Sequence, residues 1–376
     1  MKFLSEYRDA GSVLKLIELI HRNTTRDWRI MEVCGGQTNT ILRYGLDQSI
    51  RECITFVHGP GCPVCVTPAE TIDLAQTLAT RPDVILCSFG DMLRVPGSKH
   101  TLLDIKSVGG DVVMLYSPLD ALRLAQERPG REVVFFGIGF ETTAPLTALA
   151  ILRAREVGLR NFSVLCAHVL IPPAVDSVMR MPSARIDALL APGHVCTISG
   201  IRAYQLLSAQ HKIPIVVTGF EPVDILQGVL QSVEMLEQDR AEMAIQYRRA
   251  VAATGNPEAQ RLAETVFRPA DREWRGLGMI PGSGLVIARE FQQYDAEHRF
   301  SLERASIHSA HSEPCGDVLT GLATPPECPL FGRQCTPEHP VGAPMVSSEG
   351  TCAAYYRSQR YAATASTVIE DAPRTR

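Results

Sequence analysis

Seven of the chain's eleven cysteines stand in glycine- and proline-rich turns or in an irregular tail, where thiols are placed for metal or redox chemistry. Cys34 opens Cys-Gly-Gly-Gln. Cys62 and Cys65 close Gly-Pro-Gly-Cys-Pro-Val-Cys, and Cys315, Cys328, Cys335 and Cys352 lie in the tail. In a reducing compartment such thiols serve metals and redox exchange more often than structural disulfides. The other four, Cys53, Cys87, Cys166 and Cys196, sit in or beside apolar runs and read as small buried hydrophobes.

The Cys62/Cys65 pair precedes a helical segment. There a helix N-terminus lowers a thiol pKa, and a Cys-x-x-Cys unit cycles between dithiol and disulfide. Half a zinc site is the competing use, but no second Cys-x-x-Cys occurs to complete one. Cys34 has no close sequence partner. Its place between a strand and two glycines, which admit close approach by a ligand, suits a reactive thiolate or a metal ligand. The plainer use is a buried strand-end cysteine. The tail cysteines are spaced C-x12-C-x6-C-x16-C. Four thiolates suit tetrahedral zinc or a four-iron cluster; zinc sites usually pair ligands roughly two to four residues apart, so the longer gaps favour a cluster.

Acid–base candidates are Glu141, His168, His194 and Glu221, each just after an apolar strand-like run. Singly, each reads as a hydrogen-bonded loop residue. Together they are expected to form a polar crevice facing the cysteine crevice across a domain cleft. His308 and His311 have i, i+3 spacing but no supporting context, and are not taken as a metal site. The glycine-rich loops fit neither GxxxxGK[ST] nor GxGxxG, which disfavours ATP and NAD.

Positioning these groups falls to a repeated phrase: an apolar run, a Gly/Pro break, then a helix-period segment. The runs are Arg29–Val33, Ile54–Val57, Val84–Cys87, Val112–Tyr116, Val133–Ile138, Ser163–Ala167, Ala188–Leu190 and Ile213–Thr218. Helical periodicity covers Ala69–Ala79, Pro118–Glu127, Thr142–Val157, Gly200–Gln210 and Pro222–Glu237. Strands buried on both faces and alternating with helices imply parallel sheets. The expected fold class is α/β: two Rossmann-like parallel-sheet domains plus a C-terminal, largely helical and irregular iron–sulfur domain. A cut near Arg128–Gly130 gives domains 28–128 and 129–237, with 1–27 and 238–376 forming the third unit. After Gln238, Glu/Arg-rich helices are expected to about Phe267, and turns through GLGMIPGSGLVI. In an open α/β sheet ligands bind beyond the carboxyl ends of the strands, so Cys34, Cys62 and Cys65 are expected in one crevice.

The formal charge is −4 with dispersed basic residues, which argues against a concentrated phosphate-neutralising face, so no nucleic-acid partner is expected. The first residues carry scattered charges and no apolar core of a signal peptide. No stretch approaches ~18 uninterrupted apolar residues. The expected location is cytoplasmic, with no membrane partner.

With these residues in hand, the chain resembles the hydrogenase maturation protein HypD family over almost its whole length. The resemblance rests on CGGQT at Cys34–Thr38, GPGCPVC at Gly59–Cys65, GFETTAP at Gly139–Pro145, PGHV at Pro192–Val195, GFEP at Gly219–Pro222 and IPGSGL at Ile280–Leu285. It continues through ECPLFGRQCTPEHPVG and MVSSEGTC in the tail. It implies a scaffold that builds the Fe(CN)2CO unit of nickel–iron hydrogenases with a HypC-type chaperone and a HypE-type cyanide donor. Carried onto this chain, Cys34 would ligate the nascent iron with its cyanide and carbon monoxide. Cys62 and Cys65 would be a redox pair relaying electrons, and Cys315, Cys328, Cys335 and Cys352 would hold a 4Fe-4S cluster. A stand-alone iron–sulfur-dependent disulfide reductase and a structural zinc adaptor are the alternatives.

Overall fold

A computed structural model describes residues 5–303 and 315–358. All eight expected apolar runs are strands: β1 (Trp28–Glu32), β2 (Ile54–His58), β3 (Val84–Ser88), β4 (Val112–Met114), β5 (Glu132–Gly139), β6 (Phe162–His168), β7 (Ala188–Pro192) and β8 (Ile215–Thr218). Half of them are buried along their whole length and three more at all but one residue, which is why their sequences are largely apolar. A short β9 (Met243–Ile245) joins them.

The strands form two parallel sheets, ordered β2-β1-β7-β8-β9 and β4-β3-β5-β6. The chain therefore starts the first sheet, crosses after β2 to build the whole second sheet, and returns after β6. The expected cut at Arg128–Gly130 falls between β4 and β5, inside the second sheet. The proline and glycine that end a helix there suggested that cut, whereas strand pairing joins β1 to β7 across more than a hundred residues. The N-terminal helix Ala10–Asn23 also belongs with the first sheet. Ile20 shares a core with Val229 and Val233 of helix Pro222–Leu236.

Two expectations for the later chain are corrected. The stretch after Gln238 holds β9 and one helix, Pro257–Val266, and no further helix occurs before Phe267. GLGMIPGSGLVI is no string of turns. Gly278–Ile287 is a strand (β11) paired antiparallel with β10 (Phe267–Trp274). Met279, Pro281 and Val286 are exposed while Ile280, Ser283, Leu285 and Ile287 are buried, and Gly284 is buried where the Arg272 side chain packs on it. The hairpin supports the cysteine loops. Arg275 donates from Nε to the Thr67 carbonyl at 2.8 Å and from Nη2 to the Pro96 carbonyl at 2.9 Å, fixing the segment just after Cys65.

The tail is mostly irregular, with short helical turns and a helical segment at 351–358. It lies against both sheets' carboxyl ends. Asn39 donates to the Ser348 carbonyl at 2.8 Å, and Arg94, beyond β3, donates to the Val346 carbonyl at 2.8 Å. His308 and His311 lie outside the described residues.

Candidate functional site

Every strand of the first sheet ends on the same edge, and the order β2-β1-β7-β8 sets the loops beyond them side by side. The loop with Cys62 and Cys65 leaves β2, Cys34 lies just past β1, His194 just past β7, and Phe220 with Glu221 just past β8. The chain runs outward from β1 to β2 on one side and from β7 to β9 on the other. The crevice between β1 and β7 is thus the topological switch point, where α/β sheets bind ligands. Cys34 and His194 flank it, with Sγ 3.8 Å from Nδ1.

Cys34 is the N-cap of helix Gly35–Arg43 and is 6% exposed. Burial pushes its thiol up to about 12, outweighing the backbone N–H groups of Gly36 and Gln37 that favour the thiolate. The metal-free thiol is therefore held in its protonated form. Burial also pushes His194 down to about 4, so its imidazole is neutral. The ring leans on Phe220, 5.3 Å between centroids. A neutral thiol facing a neutral base is a pair from which a soft cation can displace the proton.

Glycines bring the neighbouring loops this close. A Cβ on Gly61 would overlap the backbone of Val33 and Cys34, and one on Gly35 would overlap Glu349 of the tail. The Cys62/Cys65 loop and the tail therefore pack directly on the Cys34 turn. Cys62 and Cys65 form a disulfide, both sulfurs buried. They share a recess with Gly35, Thr38, Glu349 and Thr351, so the disulfide adjoins both the Cys34 helix and the residue preceding Cys352.

Cys315, Cys328, Cys335 and Cys352 line one apolar pocket with Phe331 and Met345. Burial and then the neighbouring thiols Cys315, Cys335 and Cys328 push the Cys352 thiol far up, the signature of four sulfurs facing one space. The Val341 N–H donates to Cys335 Sγ at 3.4 Å, and Gly342 lacks the Cβ that would overlap Cys315 Sγ. Among the described residues no three Cys, His, Asp or Glu side chains are grouped as a single metal ion requires. Four thiols lining one apolar pocket are a donor set of the kind that tetrahedral zinc or a four-iron cluster takes.

The four acid–base candidates do not assemble into one crevice. His194 joins Cys34 on the first sheet. Glu221 caps helix Pro222–Leu236 and is held by Arg8, whose Nη2 donates to Oε1 at 2.9 Å. His168 ends β6 inside the core, 3.0 Å from the Thr147 hydroxyl, and burial pushes it down to about 4. Glu141 accepts the Ile171 N–H at 3.1 Å; its Oε2 is buried without a partner, and burial pushes the carboxyl up to about 7. The four cysteines read as core are all buried.

A family model described as the hydrogenase formation hypA family, HypD, matches residues 11–359. The chain is 47% identical to the hydrogenase maturation factor HypD of Rhodobacter capsulatus over 369 residues, covering 95% of this chain and 98% of that protein. It is 46% identical to its namesake in Escherichia coli K12, covering 95% and 98%. For Cupriavidus necator the identity is 44%, covering 96% and 98%. The chain belongs to the HypD family. The family's segments CGGQT, GPGCPVC and PGHV are the three loops that meet at the switch point. Two residues of this HypD-family site escaped the sequence reading. Glu32 and His58 are buried beneath Cys34, 2.6 Å apart. The available signal was a polar side chain ending each of two apolar strands. No described helix is long and apolar enough to cross a membrane.

Proposed function

We propose that the protein acts in hydrogenase maturation as the scaffold on which an iron carrying cyanide and carbon monoxide is assembled, with Cys34 as its protein ligand. The observation that carries this reading is the Cys34–His194 pair at the switch point, Sγ 3.8 Å from Nδ1. Iron is the cargo here. Its arrival displaces the Cys34 proton, and the neutral His194 beside it is the acceptor. Soft thiolate donors suit a low-valent iron that takes up cyanide and carbon monoxide. Glycines at 35, 36 and 61 let the tail, Phe220 and the disulfide loop pack closely around the thiol. The partner sharing the iron is a HypC-type chaperone, and the cyanide comes from a HypE-type donor.

Cys315, Cys328, Cys335 and Cys352 would hold a 4Fe-4S cluster, which when bound supplies single electrons. Cys62 and Cys65 act separately as a thiol pair. Two electrons and two protons open their disulfide to a dithiol, and its place one strand from Cys34 puts that exchange beside the assembling iron. The same disulfide supports the second reading, a stand-alone thiol reductase.

Infrared spectroscopy of the protein co-expressed with its maturation partners separates the two. The scaffold reading expects cyanide and carbonyl stretching bands. Full iron loading without them favours the reductase. Iron, sulfide and zinc analysis after anaerobic purification tests the tail, and stoichiometric zinc without sulfide would sink the cluster assignment.

A further inference from the structure

A carboxylate at the end of a buried strand is costly unless its oxygens are used. Glu32 is fully buried, and its carboxylate takes three donors. It accepts the Cys34 backbone N–H at 2.7 Å, His58 Nδ1–H at 2.6 Å, and the Thr38 hydroxyl. The first and third lie on either side of the Cys34 turn, so Glu32 fixes both the thiol's own peptide and the helix that starts there. His58 faces Glu32 in register across β1 and β2. Its Nε2 lies 3.2 Å from the Tyr355 hydroxyl, and the two rings meet edge to face with centroids 5.5 Å apart. Tyr355 stands in the helical segment 351–358, one turn from Cys352. Around these bonds the tail is seated by glycine contacts: a Cβ on Gly321 would overlap Val57 and one on Gly35 would overlap Glu349.

We propose that Glu32, His58 and Tyr355 are positioning residues, a strut, buried at Glu32 and His58, that couples the placement of the tail cysteines to the geometry at Cys34. Three hydrogen bonds in series join the Tyr355 hydroxyl to the Cys34 peptide. A shift of segment 351–358 reaches Cys34 by this route without any direct contact from Tyr355. Residues in one hydrogen-bonded network give non-additive effects, whereas independent loosening adds. The inference takes from the proposed function only that Cys34 is the reacting thiol.

The test uses the metal-free full chain. Peptide mass spectrometry follows the rate of Cys34 alkylation and the exchange of its amide in wild type, Tyr355→Phe, Glu32→Gln and the double variant. Tyr355→Phe removes one hydroxyl and keeps the ring. It is expected to speed Cys34 labelling about fivefold or more, with near-ultraviolet circular dichroism unchanged. Glu32→Gln should do the same, and the double variant should label no faster than the faster single one. Tyr356→Phe removes a hydroxyl from the same segment outside the strut and should leave Cys34 unchanged. Wild-type labelling in Tyr355→Phe overturns the proposal, as does multiplication of the two effects or equal acceleration by Tyr356→Phe. If Glu32→Gln does not fold, the Tyr355→Phe and Tyr356→Phe comparison still decides. No iron or cluster is needed, so failure here leaves the scaffold reading standing, and loss of the infrared bands bears on that reading alone.

Discussion

Cys34 Sγ sits 3.8 Å from His194 Nδ1 although 160 residues separate them, because β1 and β7 are neighbours in one parallel sheet. Burial drives the thiol up to about 12 and the imidazole down to about 4, so both partners rest uncharged. In metal-free protein, Cys34 should resist iodoacetamide at neutral pH by about a hundredfold or more relative to a small free thiol with its pKa near 8.5. Mass-spectrometric labelling rates check this. Labelling as fast as the free thiol would show that Cys34 is already a thiolate.

Acid stability should report the buried His168. Its folded value is about 4 against an ordinary 6.5, so the unfolded chain takes the proton first as pH falls. The stability it confers is complete above about pH 6.5 and is lost as pH falls towards 4, with a slope of at most about 1.4 kcal/mol per pH unit. Urea midpoints between pH 7 and 4 measure the slope. His168→Gln should flatten it.

Glu141 works in the opposite direction. Burial raises its carboxyl from 4.5 to about 7, so its contribution is complete below pH 4.5 and is lost as pH rises through 7. Glu141→Gln should therefore gain stability on wild type between pH 5 and 8. A constant difference across that range would remove the buried carboxyl from the account.

The strands were legible because parallel strands covered on both faces are apolar runs, as Val133–Ile138 and Val164–Ala167 are. β9 was not, since Met243–Ile245 is a three-residue edge strand of half-buried side chains. Gly278–Ile287 hid behind its three glycines and a proline, and β10, Phe267–Trp274, follows the stretch read as helical with charged residues and a proline in place of an apolar run. The sequence places Cys34, Cys62 and Cys65 at strand ends, and strand adjacency then brings them together. It does not pair Cys34 with His194, because only the return of the chain to the first sheet makes β7 a neighbour of β1. The Glu32–His58 contact has a related cause: a polar residue ending an apolar run shows where a strand stops but not which residue of a neighbouring strand faces it.

The hairpin's hold on the disulfide loop gives a stability prediction. Arg275 is buried and serves the carbonyls of Thr67 and Pro96. Arg275→Ala should cost about 2–4 kcal/mol in urea unfolding, since it leaves buried acceptors unmet. It should also speed reduction of Cys62–Cys65 by a small thiol. Unchanged stability would show that the hairpin does not brace this loop.

Gly342 gives Cys315 Sγ its space. Gly342→Ala should lower iron and sulfide content after anaerobic purification by more than half, with the two sheets' stability unchanged. Full iron and sulfide in that variant would place the cluster elsewhere.

The central claim is that Cys34 holds the assembling iron while the tail cysteines hold a separate cluster. Infrared spectra and visible absorption of wild type and Cys34→Ala, each co-expressed with the maturation partners and purified anaerobically, test it most directly. The expected result is cyanide and carbonyl bands in wild type, none in Cys34→Ala, and the same cluster absorption in both. Bands persisting without Cys34, or cluster absorption vanishing with it, would contradict the division of these cysteines.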